Sequence, residues 1–406
     1  MTSAAATSHL ESSGPSRLRY LDGYRGLAAL AVLAYHVAGR SRWVEGSPQL
    51  GLDGGAWMAR LGNFGVCVFF LLSGLVLYRP FVQAHLDERA GPRMVPYLRR
   101  RLVRIFPAYI LALTAFYALG LVQVSEPITK REYLWQYLLL HTYVRRGLAT
   151  SLPVAWTLCV EMAFYLVLPI LALCIVRLPG ARSPDRGARL RIQLAGLAAL
   201  YALGWVYRFI VLTTRPHWPG APMDWLPAFI DWFALGMGLV TLHVWRAGGG
   251  RLPGWLSNLA DTPWLCWFLA LQLYWLGVQN QTFMDGSTRT LARAFLNGTA
   301  ALLILLPAVL GTARPRRTLH LLESPVFVFL GTISYGIYLW HVIVIRWSSR
   351  LELELGFAEL LVLTTAATVA LAYASRRLVE APAMSRWTRR ASSRSRVPAT
   401  AVAPAR

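Results

Sequence analysis

The chain has 406 residues, of which 56% are hydrophobic and 15% charged, with a mean hydropathy of +0.44. A water-soluble chain of that length would divide into two or three domains, but apolar segments this dense call for lipid rather than one oversized core. The net charge of +22 then reads as basic cytoplasmic loops against anionic headgroups, which argues against nucleic acid as a partner.

In chain order, residues 1–20 are a polar cytoplasmic tail, Ser/Ala-rich over 1–16 and predicted disordered. No cleavable signal peptide is evident, and the first apolar stretch reads as a retained signal anchor. Ten spans follow, near 24–40, 64–80, 105–122, 154–176, 192–213, 225–245, 264–278, 291–311, 326–346 and 357–376. Each is near the length that crosses a bilayer. The predicted fold is all-α, a polytopic integral-membrane helix bundle over 21–384, followed by a basic cytoplasmic tail, 385–406, that touches lipid headgroups. With the N-terminus inside, about 27 Arg and Lys fall on the cytoplasmic side and about 12 outside. The positive-inside rule thus supports N-in and C-in in the plasma (inner) membrane. Segment 134–144, LWQYLLLHTYV, is too short to cross and reads as re-entrant or interfacial. Cys67, Cys159, Cys174 and Cys266 all fall in apolar segments without metal-type spacing, which predicts buried free thiols and no metal site.

The first span, LDGYRGLAALAVLAYHV, carries Arg25 and His36 eleven residues apart. Three helical turns put both on one face, roughly 16 Å apart along the axis. An ionisable residue within an apolar span usually marks a functional pathway, although a histidine satisfied by a neighbouring helix accounts for His36 equally well. Before the third span, VPYLRRRLVRIFPAY sets Arg101 and Arg104 at i and i+3 on the cytoplasmic border. Guanidinium forks there suit phosphate; an ordinary positive-inside anchor is the plainer alternative. Glu161 in WTLCVEMAFYLVLP needs a partner, either an arginine or His36, or else makes a structural interhelical hydrogen bond. Arg208 and Asp231, at similar depth, predict a structural ion pair. In FLGTISYGIYLWHVIVI, Ser334, Tyr335 and Tyr338 suit helix contacts, while Trp340 and His341 suit either an interfacial belt or an acceptor site. His141 and His243 read as packing or interfacial residues, and Glu380 before Pro382 in LVEAP as a helix stop. Walker, GxGxxG, HExxH and GxSxG patterns do not occur, which argues against several soluble enzyme classes.

Five separated stretches, LDGYRGLAALAVLAYH, FFLLSGLVLYRPF, RRRLVRIFPAY, WTLCVEMAFYLVLP and LGTISYGIYLWH, with LVEAP closing the set, resemble acyltransferase family three. These integral-membrane enzymes include O-antigen and nodulation-factor O-acetylases and macrolide acyltransferases. The family's Arg–ten residues–His signature falls on Arg25 and His36, and its RxxR motif on Arg101 and Arg104. The resemblance implies transfer of an acyl group, acetyl or another, from cytoplasmic acyl-CoA to a hydroxyl of a glycan, lipid-linked sugar or glycosylated small molecule. The donor is a substrate, and no cofactor is bound permanently. On this reading His36 is the general base, Arg25 positions the donor or stabilises oxyanion charge, and Glu161 orients His36 or the acceptor. Arg101 and Arg104 hold the phosphates of acyl-CoA. A covalent acyl-histidine step is open on the same residues. The competing class is a glycan or lipid transporter, against which stand the lack of repeat symmetry and the basic cluster.

Overall fold

The computed structural model describes residues 19–40, 54–144, 146–214, 220–279, 286–312, 320–353 and 355–386. The expected tails therefore lie almost wholly outside the described residues; helix begins at Arg19, inside the stretch assigned to the N-terminal tail. No strand occurs among the described residues. The long helices are α1 (Arg19–Arg40), α2 (Gly54–Leu86), α3 (Met94–Ala118), α5 (Trp156–Val176), α6 (Arg186–Thr214), α7 (Ile230–Ala247), α9 (Pro263–Gln279), α10 (Gly286–Leu310), α11 (Pro325–Arg350) and α12 (Phe357–Ser375). Two short ones, α4 (Lys130–Tyr137) and α8 (Gly254–Ala260), sit in connections. Seven helices are long and apolar enough to cross a membrane: α2, α3, α5, α6, α10, α11 and α12 with its extension. The apolar α9 is shorter, and α1 and α7 are not among the seven.

Segment 134–144 forms no helix long enough to cross a membrane. Its helix α4 is only 8 residues long and starts with a capping box, in which the Glu132 backbone N–H donates to Thr129 Oγ1 and Glu132 Oε2 accepts from the Thr129 N–H. The helix stop expected at Glu380–Pro382 is not there. Residues 376–380 form a π turn, in which the Ala381 N–H donates to the Arg376 carbonyl, and helix continues to Arg386. A wider turn changes the hydrogen-bond register just where Pro382 has no N–H to offer, so the chain passes the proline without breaking.

The centre of the bundle is α1, held between α2 and α11. Close approach is possible because small residues face each other. A Cβ on Gly331 would collide with the Asp22 carbonyl oxygen, and one on Gly65 would fall 2.7 Å from that of Ala28. Asp22 against Gly331, His36 against His341 and Arg40 against Ser349 show that α1 and α11 run parallel. On the other side Gly236 packs on the Leu71 carbonyl and ties α7 to α2. The helix ends are laced by charge. Asp87, after α2, pairs with Arg186 of α6 at 3.2 Å, and Arg186 also donates to the Val244 and Gly248 carbonyls at the end of α7. At the opposite end Arg346 donates to the Leu121 carbonyl. Of the cysteines, Cys67, Cys159 and Cys266 are buried free thiols as expected, whereas Cys174 is exposed. It sits on the outer flank of α5 with Ile170 and Leu173, a surface that suits lipid.

Candidate functional site

Arg25, Arg101, Arg104 and Glu161, spread over 137 positions of sequence, line one chamber. The close α1–α11 contact holds Arg25 in place. Arg101 and Arg104 stand three residues apart on α3, and Glu161 enters from the second turn of α5. Hydroxyls complete the wall: Ser73, Thr157, Tyr165, Ser334, Tyr335 and Tyr338. Three guanidiniums therefore face one carboxylate, and that carboxylate already accepts a hydrogen bond from Ser73 Oγ at 2.6 Å. Arg25 has Asp22 at 3.7 Å, while Arg101 Nε is buried without a hydrogen-bond partner. The excess positive charge and the unused donor leave the chamber chemically suited to an anion. The enclosed space is about 80 Å³. That is well short of the roughly 300–1,000 Å³ of a pocket holding a drug-sized molecule.

His36 is not in this chamber. It lines a second cavity of about 450 Å³, with Arg40, Gln123, Arg346 and Ser349 at its polar rim. Nor is it a lone imidazole. His36 Nδ1 is 2.9 Å from the Val32 carbonyl and 3.2 Å from His341 Nε2, and His341 Nδ1 is 2.9 Å from the Ile337 carbonyl. A carbonyl only accepts, so His341 carries its proton on Nδ1 and its Nε2 is an acceptor. His36 Nδ1 then faces two acceptors and must be the protonated nitrogen. The lone pair of neutral His36 is left on Nε2, which has no hydrogen-bond partner among the described residues.

The two cavities are close but separate. Tyr338 forms part of the chamber wall, its hydroxyl 2.7 Å from Thr157 Oγ1, and its ring centroid lies 6.0 Å from that of His341. Tyr338 and His341 thus stand between the arginines and His36. Glu161 does not orient His36 here; it belongs with the arginines and Ser73. His341, weighed in the sequence between an interfacial belt and an acceptor site, is fully buried as the partner of His36, and Trp340 beside it is buried too. The available signal was its place three residues after Tyr338 and seven after Ser334, on one helix face. Arg208 and Asp231 form the structural pair the sequence predicts, bidentate at 2.8 and 2.6 Å, and line neither cavity. His141 packs against Cys159, and His243 bonds to the Val309 carbonyl.

Apolar helices around an arginine-rich chamber and a buried histidine pair define a multi-pass membrane protein with a built site inside it. Residues 18–377 match the family model described as an acyltransferase domain, and the chain belongs to that family, acyltransferase family three. Among its relatives, the acyltransferase MdmB of Streptomyces mycarofaciens is 28% identical over 374 residues, 88% of this chain and 86% of that one. Nodulation protein 10 of Rhizobium leguminosarum is 25% identical, covering 79% of this chain and 82% of its own length. Peptidoglycan O-acetyltransferase OatA of Listeria monocytogenes is 24% identical over 89% of this chain, which spans 55% of that longer protein. No solved structure matches the chain. The protein is a membrane O-acyltransferase, which decides between enzyme and transporter in favour of the enzyme.

Proposed function

We propose that the protein transfers an acyl group from acyl-CoA to a hydroxyl of a glycan or glycosylated small molecule, with His36 as general base. The observation that carries this reading is the hydrogen-bonding of His36, which leaves Nε2 as a free lone pair on a residue lining a 450 Å³ cavity. In the proposed step Nε2 takes the proton of the acceptor hydroxyl as its oxygen bonds to the thioester carbonyl carbon. The C–S bond then breaks, and the proton passes to the departing thiolate. His341 Nε2, accepting from His36 Nδ1–H, steadies the imidazolium in between. Arg101 and Arg104 hold donor phosphates, Arg25 positions the donor, and Glu161 balances their charge. Because Arg25 lines the other cavity, the pantetheine arm rather than the arginine spans the distance to His36. The 80 Å³ chamber must widen to admit that arm. The helix suited to give way is α3, which buries 33% of its apolar window against 72% for α2.

The same proposal takes ten long helices as spans, with both termini and the start of α3 in the cytoplasm of a plasma-membrane protein. Donor then enters from the arginine side, and acceptor through the cavity rimmed by Arg40 and Arg346. A glycan acceptor is supported by relatives named peptidoglycan O-acetyltransferases. The test is acyl-CoA turnover by purified protein in lipid nanodiscs with candidate acceptors. His36→Ala is expected to lower kcat by about 10²–10⁴-fold without loss of folded protein. Near-normal turnover in that variant would remove His36 as the base.

A further inference from the structure

A third cavity, of about 660 Å³, lies at the end of the bundle formed by the finish of α2, the start of α3, the finish of α5 and the start of α6. Its lining continues that of the arginine chamber along three helices. On α2 the chamber ends at Leu77 and this vestibule begins at Phe81; on α5 the same step runs from Tyr165 to Pro169. On α3 the gap is wider, seven residues from Arg101 back to Met94, and Tyr97 lies within it. One step of four residues is about 6 Å of helix, so the two spaces are stacked end to end. Between them stands Tyr97, buried, its ring 5.6 Å from that of Phe81 and capped by the Arg101 guanidinium at 6.0 Å. Its hydroxyl has no hydrogen-bond partner. An unpaired buried hydroxyl is costly, and a ligand or water arriving at this threshold relieves that cost.

The walls and rim of the vestibule differ in kind. Phe81, Met94, Pro169, Ala172 and Val176 give apolar surface. Of the polar residues, His85 is already engaged, with Nε2 donating to the Ala181 carbonyl at 2.7 Å and Nδ1 accepting from Gln193. Arg189 is likewise committed, to the Glu88 carboxylate and to the Leu86, Ser183 and Pro184 carbonyls. That leaves Arg89 and Arg182, both exposed at the rim, as cations available to a ligand.

We propose that this vestibule binds the adenosine 3′-phosphate end of the donor, the base against the apolar wall and the 3′-phosphate between Arg89 and Arg182. The pyrophosphate then meets Arg101 and Arg104 at the Tyr97 threshold, and the pantetheine arm continues inward. This rests on acyl-CoA being the donor, and the experiment separates the two claims. Acyl transfer is measured in nanodiscs with acyl-CoA and with the same thioester lacking the 3′-phosphate. Wild-type enzyme is expected to have a KM at least about tenfold lower for the phosphorylated donor, as loss of one charge-assisted contact predicts. Arg89→Ala with Arg182→Ala, both at exposed positions, should abolish that preference while leaving kcat and the KM for the dephosphorylated donor unchanged. Arg101→Ala with Arg104→Ala should raise both KM values and keep the preference. If the wild type transfers from acyl-CoA but shows no such preference, or the rim variant retains it, the vestibule assignment is wrong and the donor reading stands. A vestibule occupied by lipid gives that result. If wild type transfers from neither donor, both claims fall.

Discussion

Arginine reaches into the bundle at two places, and they are built in opposite ways. Arg208 meets a single carboxylate, Asp231, in a bidentate pair, with the indole rings of Trp205 and Trp232 at 5.6 and 5.7 Å from its guanidinium. Both side chains are at most 3% exposed, and every charge has its match. In the chamber, three arginines line the wall with one carboxylate, Glu161, which Ser73 already engages; Arg25 has Asp22 at 3.7 Å, and Arg101 Nε has no partner. A matched pair consumes its own field and can only hold helices together. An unmatched cluster is tolerated only where something else arrives to neutralise it. What sets the chamber apart from the pair is thus its surplus of charge.

The widest separation between the two sites should come from Asp231→Ala. Removing one member of a buried pair leaves the other uncompensated, at a cost of about 3–5 kcal/mol. The yield of folded protein and its thermal midpoint in detergent should drop sharply, while turnover per folded molecule stays the same. Replacing both members, with Arg208→Met and Asp231→Leu, should restore most of the stability. A stable but inactive Asp231→Ala protein would place the pair in the catalytic machinery and erase the contrast.

The chamber should behave the other way round. Arg101→Ala with Arg104→Ala removes half-exposed and exposed charges that repel each other, so the melting midpoint should barely move. Charge-assisted contacts are worth about 1.5–3 kcal/mol each, so the donor KM should rise by roughly tenfold or more. Unchanged donor kinetics together with a lowered midpoint would make these arginines anchors of α3 rather than ligands for an anion.

Much of this was legible before any coordinates. Hydropathy located every long helix, because lipid demands length and apolarity from each span separately, and the lone charges Arg208 and Asp231 could find relief only in each other. The motifs singled out Arg25, Arg101, Arg104 and Glu161, but they set Arg25 and Glu161 beside His36 rather than in one chamber with the other two arginines. What stayed hidden were properties of three-dimensional neighbours. His341 looks like any aromatic-rich interfacial residue until α1 and α11 are known to run parallel and in contact. The separation of His36 from Glu161 depends on which turn of α11 carries Tyr338 between them. The vestibule likewise arises from four helix ends that are distant in sequence. The π turn at 376–380 was masked by a proline whose usual effect is to stop a helix.

The smallest effect separates two groups in the cap over the far end of the bundle, where the loop after α4 meets the loop before α7. The Ala221 N–H and Trp225 Nε1 both donate to the Thr142 carbonyl and pin the two loops together. Under this junction His141 is fully buried, and burial pushes its pKa down to about 4. Asp224 lies in the neighbouring turn, and burial pushes its carboxyl up to about 6. The signs oppose. Between pH 6.5 and 4 the unfolded chain protonates His141 and the folded protein does not, so this group makes stability fall as pH falls. Between 3.8 and 6 the folded protein holds a proton on Asp224 that the unfolded chain has lost, so this group makes stability fall as pH rises. Each slope reaches about 1.4 kcal/mol per pH unit at most, and over the shared window of roughly pH 4–6 they offset each other. Relative to wild type, Asp224→Asn should therefore lose thermal stability progressively on acidification through that window. His141→Gln should gain it over the same range. Parallel melting profiles for all three proteins would show that the cap opens to water and that neither group is held in its neutral form.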